Sequence, residues 1–392
     1  MLSWLAPIIV FGLVVFVHEL GHFIAAKLTR VYAPRFSIGF GPSLLKKRFG
    51  ETEYVLAALP LGGYVRMASR EDEATAFLEG GSENSAVTPG SAKDGFDPNA
   101  MIPFGPKPIP EERWFESKSL PARLFIMLAG VTMNALLAYV IYFGLLLRSG
   151  MPTPVPVAAV VTPGKPAALA GIQVGDSIAS LNGRPLESWQ TLLDSIGASA
   201  GRPLSLGLVR DGRPVTVTVT PASEAVVDPE TGIKQPRGRI GMIAGQVFTP
   251  IGVPQAFSEA WRITIDNGGR IFTALGSLVR GVGISDLGGP IAIAQVSVQA
   301  AQGGIESLLL LVALISINVA VFNLLPIPIL DGGQIVLNVA ETIKGSAFST
   351  RTRENILKGG LLIIGLLFVT VMFNDISRNM QNIVKLVGRI FG

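Results

Sequence analysis

Hydrophobic positions along the chain gather into four long runs, at residues 2–26, 124–147, 307–325 and 359–373. A helix needs about 20 apolar residues to cross a bilayer, and the fourth run reaches about 19 once its flanks are added. Between the runs the pattern changes. Residues 36–67 mix β-formers with glycines (FSIGFGP, then ETEYVLAALPLGGYVRM) and turn at the Leu59-Pro60 step, which predicts a short sheet close to the membrane or an ordinary loop hairpin. Residues 68–112 are polar and rich in Gly, Pro, Ser and acids, most of all from about 71 to 98, and read as a poorly ordered insert.

The stretch from Pro154 has the mixed periodicity of a compact α/β domain. Strands are predicted at 157–161, 203–209, 214–220 and 238–243, with a further strand between the turns of GIQVGDSIASLNG. Helices are predicted at 166–170 and 188–199, and Asp211-Gly212 is the turn of a hairpin. Residues 253–282 follow as an amphipathic helix, with Gly268-Gly269 as the place for a bend, and SDLGGPIAIAQ as a Gly/Pro turn before the third run. At 376–391 the residues Ile376, Met380, Ile383, Val384, Val387 and Ile390 recur at helical spacing, which predicts a separate helix lying in the membrane interface.

Composition agrees with this pattern. In 392 residues, 49% are hydrophobic and 15% charged, which points to a polytopic membrane protein carrying a soluble part. The net charge of +4 is small, and no basic stripe interleaved with aromatics suggests nucleic acid as a partner. Topology accounts for many of the basic residues. Lys27, Arg30, Arg35, Lys46, Lys47 and Arg48 follow the first run, and Arg113, Lys118 and Arg123 precede the second. Lys344, Arg351, Arg353 and Lys358 lie between the third and fourth. Those two loops are expected inside, and both termini and the central domain outside. Arg378, Lys385 and Arg389 run against this and are assigned to the interfacial helix. Without cysteine there is neither a disulfide framework nor a thiolate metal site. The first run has no basic n-region and is too long for a signal h-region, so it is expected to be retained.

Three costly polar residues interrupt the first run, in VVFVHELGH. Ionisable groups at membrane depth are expensive and point to function. His18 and His22, the two histidines of the chain, stand four positions apart and project from one face of a helix, the spacing that two ligands of one metal ion require. Glu19 follows the first and can serve as general base toward a water. A catalytic zinc takes three protein ligands, and NLLPIPILDGGQ at 323–334 supplies Asp331 as the third candidate. Pro326 and Pro328 break the helix there, exposing backbone that membrane depth tolerates only when buried in protein or lining a wet cavity. Gly332 and Gly333 allow close approach behind the carboxylate. Asp331 also suits the N-cap of the next helix. Asn323 and Asn134 are further polar groups at membrane depth; each fits a helix-packing hydrogen bond or a contact to a substrate carbonyl or oxyanion.

HELGH, GFGP, GGYV and NLLPIPILDGG, in this order over nearly the whole chain, resemble the site-2 intramembrane zinc metalloproteases, of the type represented by the bacterial regulator of sigma-E protease. The resemblance implies that His18, His22 and Asp331 bind Zn2+, that Glu19 is the catalytic acid/base, and that Asn323 handles substrate. It also implies that the β element at 36–67 pairs with substrate and that PAALAGIQVGDSIASLNGRPL belongs to a PDZ-like domain. The expected fold is a polytopic α-helical membrane protein of four transmembrane helices, with a membrane-associated β element and an inserted PDZ-like α/β domain. Its divisions are 1–150, 151–248 and 249–392. The chain departs from the family in having room for one PDZ-like domain rather than two, in Val131 where proline is usual, and in Gln334 where histidine often follows DGG.

The function expected is hydrolysis of a peptide bond inside the membrane. By resemblance the partners are single-span membrane proteins already cut outside, such as anti-sigma factors, or remnant signal peptides. The setting is a bacterial inner membrane with cleavage toward the cytoplasm. Two other readings use the same residues. A PDZ-type membrane adaptor with a structural or vestigial zinc site would want a fourth protein ligand, and no further His or Cys exists for it. A zinc transporter would want more acidic or His residues along its spans.

Overall fold

The computed structural model describes residues 3–69, 110–227, 234–280 and 288–391, so most of the polar insert and the start of the SDLGGPIAIAQ turn lie outside the described residues. Helix α1 (Ala6–Leu28) starts with a proline in its first turn, where no intrahelical donor is lost, and ends at Thr29. Strands β1 (Arg35–Phe49) and β2 (Thr52–Arg66) form the expected β element, longer than a simple hairpin. Residues 35–38 pair antiparallel with 63–66 and also line up with 53–56, whose other side pairs with 45–48. The two bent strands thus give four adjacent segments, with 63–66 and 45–48 outermost. Lys27 and Arg113 both bond Glu51, which ties the turn of this element to the end of α1 and to the segment before α2 (Leu120–Ser149).

The second unit is centred on Phe143–Arg262. Strands β3 (Met151–Val161), β4 (Ser177–Leu181) and β5 (Arg184–Pro185) flank α3 (Pro166–Leu169); then come α4 (Trp189–Ala198), β6 (Leu204–Arg210) and β7 (Arg213–Val219). After β8 (Ala222–Val227), β9 (Lys234–Arg239) and β10 (Met242–Thr249), the sheet order is β10-β3-β4-β6-β7, with β8-β9 a separate pair. Pro152, Pro154 and Pro156 alternate along β3, so their missing N–H groups fall on one side and leave the other to pair with β10. Asp211 and Gly212 both have positive φ (50° and 76°), as the β6–β7 hairpin requires. Ser188 caps α4 by accepting the Thr191 amide at 3.1 Å. Ile178, Leu192, Leu206 and Leu208 fill the core, each stabilising by about 1.5–3 kcal/mol. The strand expected at 238–243 is instead the junction of two strands in different sheets. Gly241, at φ 75°, turns the chain between them.

Helix α5 (Val253–Val279) runs through Gly268-Gly269 without interruption, and α6 (Pro290–Gln302) is a helix where a turn was expected. Helix α7 (Ile305–Asn323) stops as foreseen, because Pro326 has no amide to donate and would clash with the preceding turn. Helix α8 (Asp331–Lys344) starts directly on Asp331 and closes on Gly345 at φ 77°. The fourth run and the C-terminal stretch are one helix, α9 (Thr350–Phe391), of 42 residues, about 63 Å at 1.5 Å per residue. The separate interfacial helix is not formed, because no Gly or Pro stands between 374 and 387 to end the fourth run's helix.

Among the described residues, four helical stretches are long and apolar enough to cross a membrane: Ser3–Leu28, Leu120–Ser149, Ile305–Asn323 and Arg351–Met380. In lipid, helices associate through close packing and polar contacts rather than through the hydrophobic effect. Val10 and Val14 of α1 pack on Leu311, Val312 and Ile315 of α7. Gly21 of α1 meets the Ala129 carbonyl of α2 so closely that a methyl group would not fit.

Candidate metal centre

His18 and His22 are buried on one face of α1, and their Nε2 atoms are 3.2 Å apart. Asp331 Oδ2 is 3.2 Å from the first and 3.5 Å from the second. These three atoms form a nearly equilateral triangle. Around a tetrahedral zinc with ligand bonds of about 2.0–2.1 Å, ligand atoms stand roughly 3.3–3.4 Å apart, so the triangle has the size that one such ion needs. Asp331 Oδ2 is buried and has no hydrogen-bond donor. Donors of this kind, two imidazole nitrogens and a carboxylate oxygen, are those zinc prefers. Among the described residues no other group of three or more His, Cys, Asp or Glu side chains converges in this way.

The surroundings explain how the triangle is held. His22 Nδ1 lies 2.8 Å from the Ile126 carbonyl, which fixes its N–H there and leaves Nε2 with a lone pair. A methyl group at Gly130 of α2 would collide with both imidazoles, so only glycine lets α2 pass behind them. Past the break, Gly332 and Gly333 face the carbonyls of Leu324, Leu325 and Ile327 so closely that neither accepts a side chain. Gln334 Nε2 donates to the Pro328 carbonyl at 2.9 Å, closing the loop onto the first turn of α8. That fold-back brings Asp331 to the histidines. Asp331 makes no capping bond and is the first residue of α8, with Leu330 at the cap position, so the N-cap reading is set aside.

Glu19 is placed by the β element. The Val65 backbone amide donates to its carboxylate, and a Cβ at Gly63 would stand 3.4 Å from its Cγ. Asn323 Nδ2 lies 3.0 Å from His18 Nε2, on the metal-facing side of the ring. Asn134 is fully buried against the opposite edge of that ring, with Nδ2 3.4 Å from Nδ1. All the residues singled out from the sequence thus meet around one point. Gly130, the Ile126 carbonyl and the Val65 amide did not stand out there. Of these, only the small residue at 130 in an apolar run carried a signal, as a mark of close helix packing.

Three converging donors, two on a helix able to cross a membrane and the third at the start of α8, with a carboxylate alongside, fit one class: a membrane-embedded zinc metalloprotease. The chain belongs to peptidase family M50, whose model matches residues 6–367. It is similar to the zinc metalloprotease RasP of Geobacillus kaustophilus, 31% identical with 96% of this chain and 98% of the relative covered. It is likewise similar to the regulator of sigma-W protease RasP of Bacillus subtilis, 32% identical with 95% and 98% covered.

Proposed function

We propose that His18, His22 and Asp331 are the zinc ligands and Glu19 the catalytic acid/base of an enzyme that cuts single-span membrane proteins within the bilayer. The observation that carries this is the triangle of 3.2, 3.2 and 3.5 Å between three ligand atoms, two on α1 and one at the start of α8. Zinc, when bound, polarises the scissile carbonyl and lowers the pKa of a water toward about 7. Glu19 takes the proton of the attacking water and passes it to the leaving amine, as a general base that becomes a general acid. The Val65 amide bonds its carboxylate and so holds it beside the triangle. Asn323, 3.0 Å from His18 Nε2, is near enough to donate to the oxyanion that develops on the substrate.

A substrate helix keeps its carbonyls in its own hydrogen bonds and must unwind before attack. Residues 63–66 are an outermost segment of the β element and pass beside Glu19. Pairing there as an added strand replaces the bonds the substrate loses and lays it along the site, which is strand-addition recognition. We read residues 151–248 as a PDZ-like domain, 1–150 as the first transmembrane pair with the β element, and 249–392 as the second transmembrane pair with its linker. The basic loops support an orientation with that domain outside, and the similarity to bacterial proteins supports a bacterial inner membrane. The substrates inferred are anti-sigma factors, since one similar protein is named a regulator of sigma-W protease, or, on the family resemblance alone, remnant signal peptides.

The test is Glu19→Gln in the full chain, with a single-span reporter in proteoliposomes and metal analysis on the same sample. Cleavage should fall by about 10²–10⁴-fold while zinc content stays at the wild-type level. Undiminished cleavage would sink the assignment of Glu19.

A further inference from the structure

His18 turns Nε2 toward Asp331 and His22, so its ring proton belongs on Nδ1. The atom opposite Nδ1 is Asn134 Nδ2, also a donor, at 3.4 Å. Two donors facing each other are repelled. The same side chain carries Oδ1, buried and without a hydrogen-bond partner. A half-turn about the terminal bond of Asn134 exchanges the two atoms and satisfies both groups at once. The long 3.4 Å contact then has reason to close to about 2.9 Å, the usual N–H to O distance.

We propose that Asn134 is the positioning residue of His18: its Oδ1 accepts the Nδ1 proton, fixes the tautomer that leaves Nε2 with a lone pair, and holds the ring plane. This rests on the reading of His18 as a zinc ligand. His22 is held in the same manner, but by the backbone carbonyl of Ile126, two turns earlier on α2. Helix α2 therefore orients both rings while supplying no ligand. The carbonyl of Asn134 in turn accepts Ser316 Oγ of α7 at 2.8 Å. This links the helix that orients the histidines to the helix that leads toward Asp331. A hydrogen-bond acceptor behind a ligating imidazole raises its basicity and reduces the ways the ring can turn, and losing one costs metal affinity about 10–100-fold.

The experiment measures zinc affinity of the purified full chain by competition with a chelator, and the visible spectrum of the Co2+-substituted protein. It compares the wild type with Asn134→Leu, Asn134→Asp and His18→Ala. Asn134→Leu keeps the shape and removes the acceptor; its zinc affinity should drop by about 10–100-fold, and its cobalt bands should shift. Asn134→Asp keeps an acceptor and should match the wild type in both. A folded Asn134→Leu with wild-type affinity and spectrum overturns the proposal, and so does Asn134→Asp losing as much as Asn134→Leu. Should the leucine variant fail to fold, Asn134→Asp decides, with retained affinity in favour and lost affinity against. His18→Ala separates the two levels: wild-type affinity in that variant removes the metal ligand itself, and with it the role of Asn134.

Discussion

Two acids, each with a buried carboxylate oxygen, show how differently the two units treat polar groups. In the central unit Asp176 is 1% exposed, and every oxygen has a partner. Arg210 donates Nε to Oδ1 at 2.8 Å and Nη2 to Oδ2 at 2.7 Å, and the Gln173 amide donates to Oδ2 at 2.8 Å. In the membrane unit Asp331 Oδ2 faces two imidazole nitrogens and has no hydrogen-bond donor. The fully bonded carboxylate has nothing left to offer a ligand and fixes its domain. The incompletely bonded one has its free valence aimed at a point where other free valences converge. An unsatisfied buried oxygen is costly, and under the proposed assignment a zinc ion completes it.

Substitutions break the comparison from its larger side first. Asp331→Ala removes a charged ligand and leaves two neutral ones, short of the three that catalytic zinc sites use. Metal analysis should find zinc lost after dialysis, and the reporter should stay uncut. Gly130→Ala pushes a methyl group against both imidazoles. Overpacking of this kind costs about 1–3 kcal/mol, which should appear as a roughly 5- to 150-fold weaker zinc affinity without loss of any ligand. Asp176→Asn does the reverse. Weakening this part-buried bidentate pair destabilises the central unit, while zinc affinity stays at the wild-type value. Fluorescence of Trp189, isolated by replacing Trp4, Trp114 and Trp261 with Phe, reports that unit's unfolding.

The smallest effect is a pH dependence confined to the same pair. The hydrogen bonds from Arg210 hold the Asp176 carboxyl below the usual carboxylate range, more than offsetting its burial. A depressed folded-state value means the contribution is fully present above the unfolded value of about 3.9 and is lost as pH falls through the folded one. Wild-type Trp189 melts should therefore lose stability on acidification below about pH 4. Asp176→Asn has no such contribution to lose, so the gap between the two should narrow there. A gap that stays constant down to pH 2 removes the ion pair as its source.

By itself the sequence determined the four spans, the end of α7, the turn at Asp211-Gly212 and the residues of the metal triangle. Each follows from local chemistry: apolar run length, a proline without an amide, a left-handed turn, and ionisable groups too expensive to sit at membrane depth without a task. Strand pairing was less accessible. The junction at Gly241 and the bending of two strands into four adjacent segments depend on which distant edge is free to bond, and local periodicity does not carry that. Tertiary structure alone decided that Glu19 is held by the Val65 amide, that His22 is oriented by a carbonyl of α2, and that position 130 must be glycine. The physical reason is common to all three. Backbone donors and acceptors are the same in every residue, so the sequence marks the side chains that do chemistry, while the backbone groups that aim them are distinguished only by where the fold brings them.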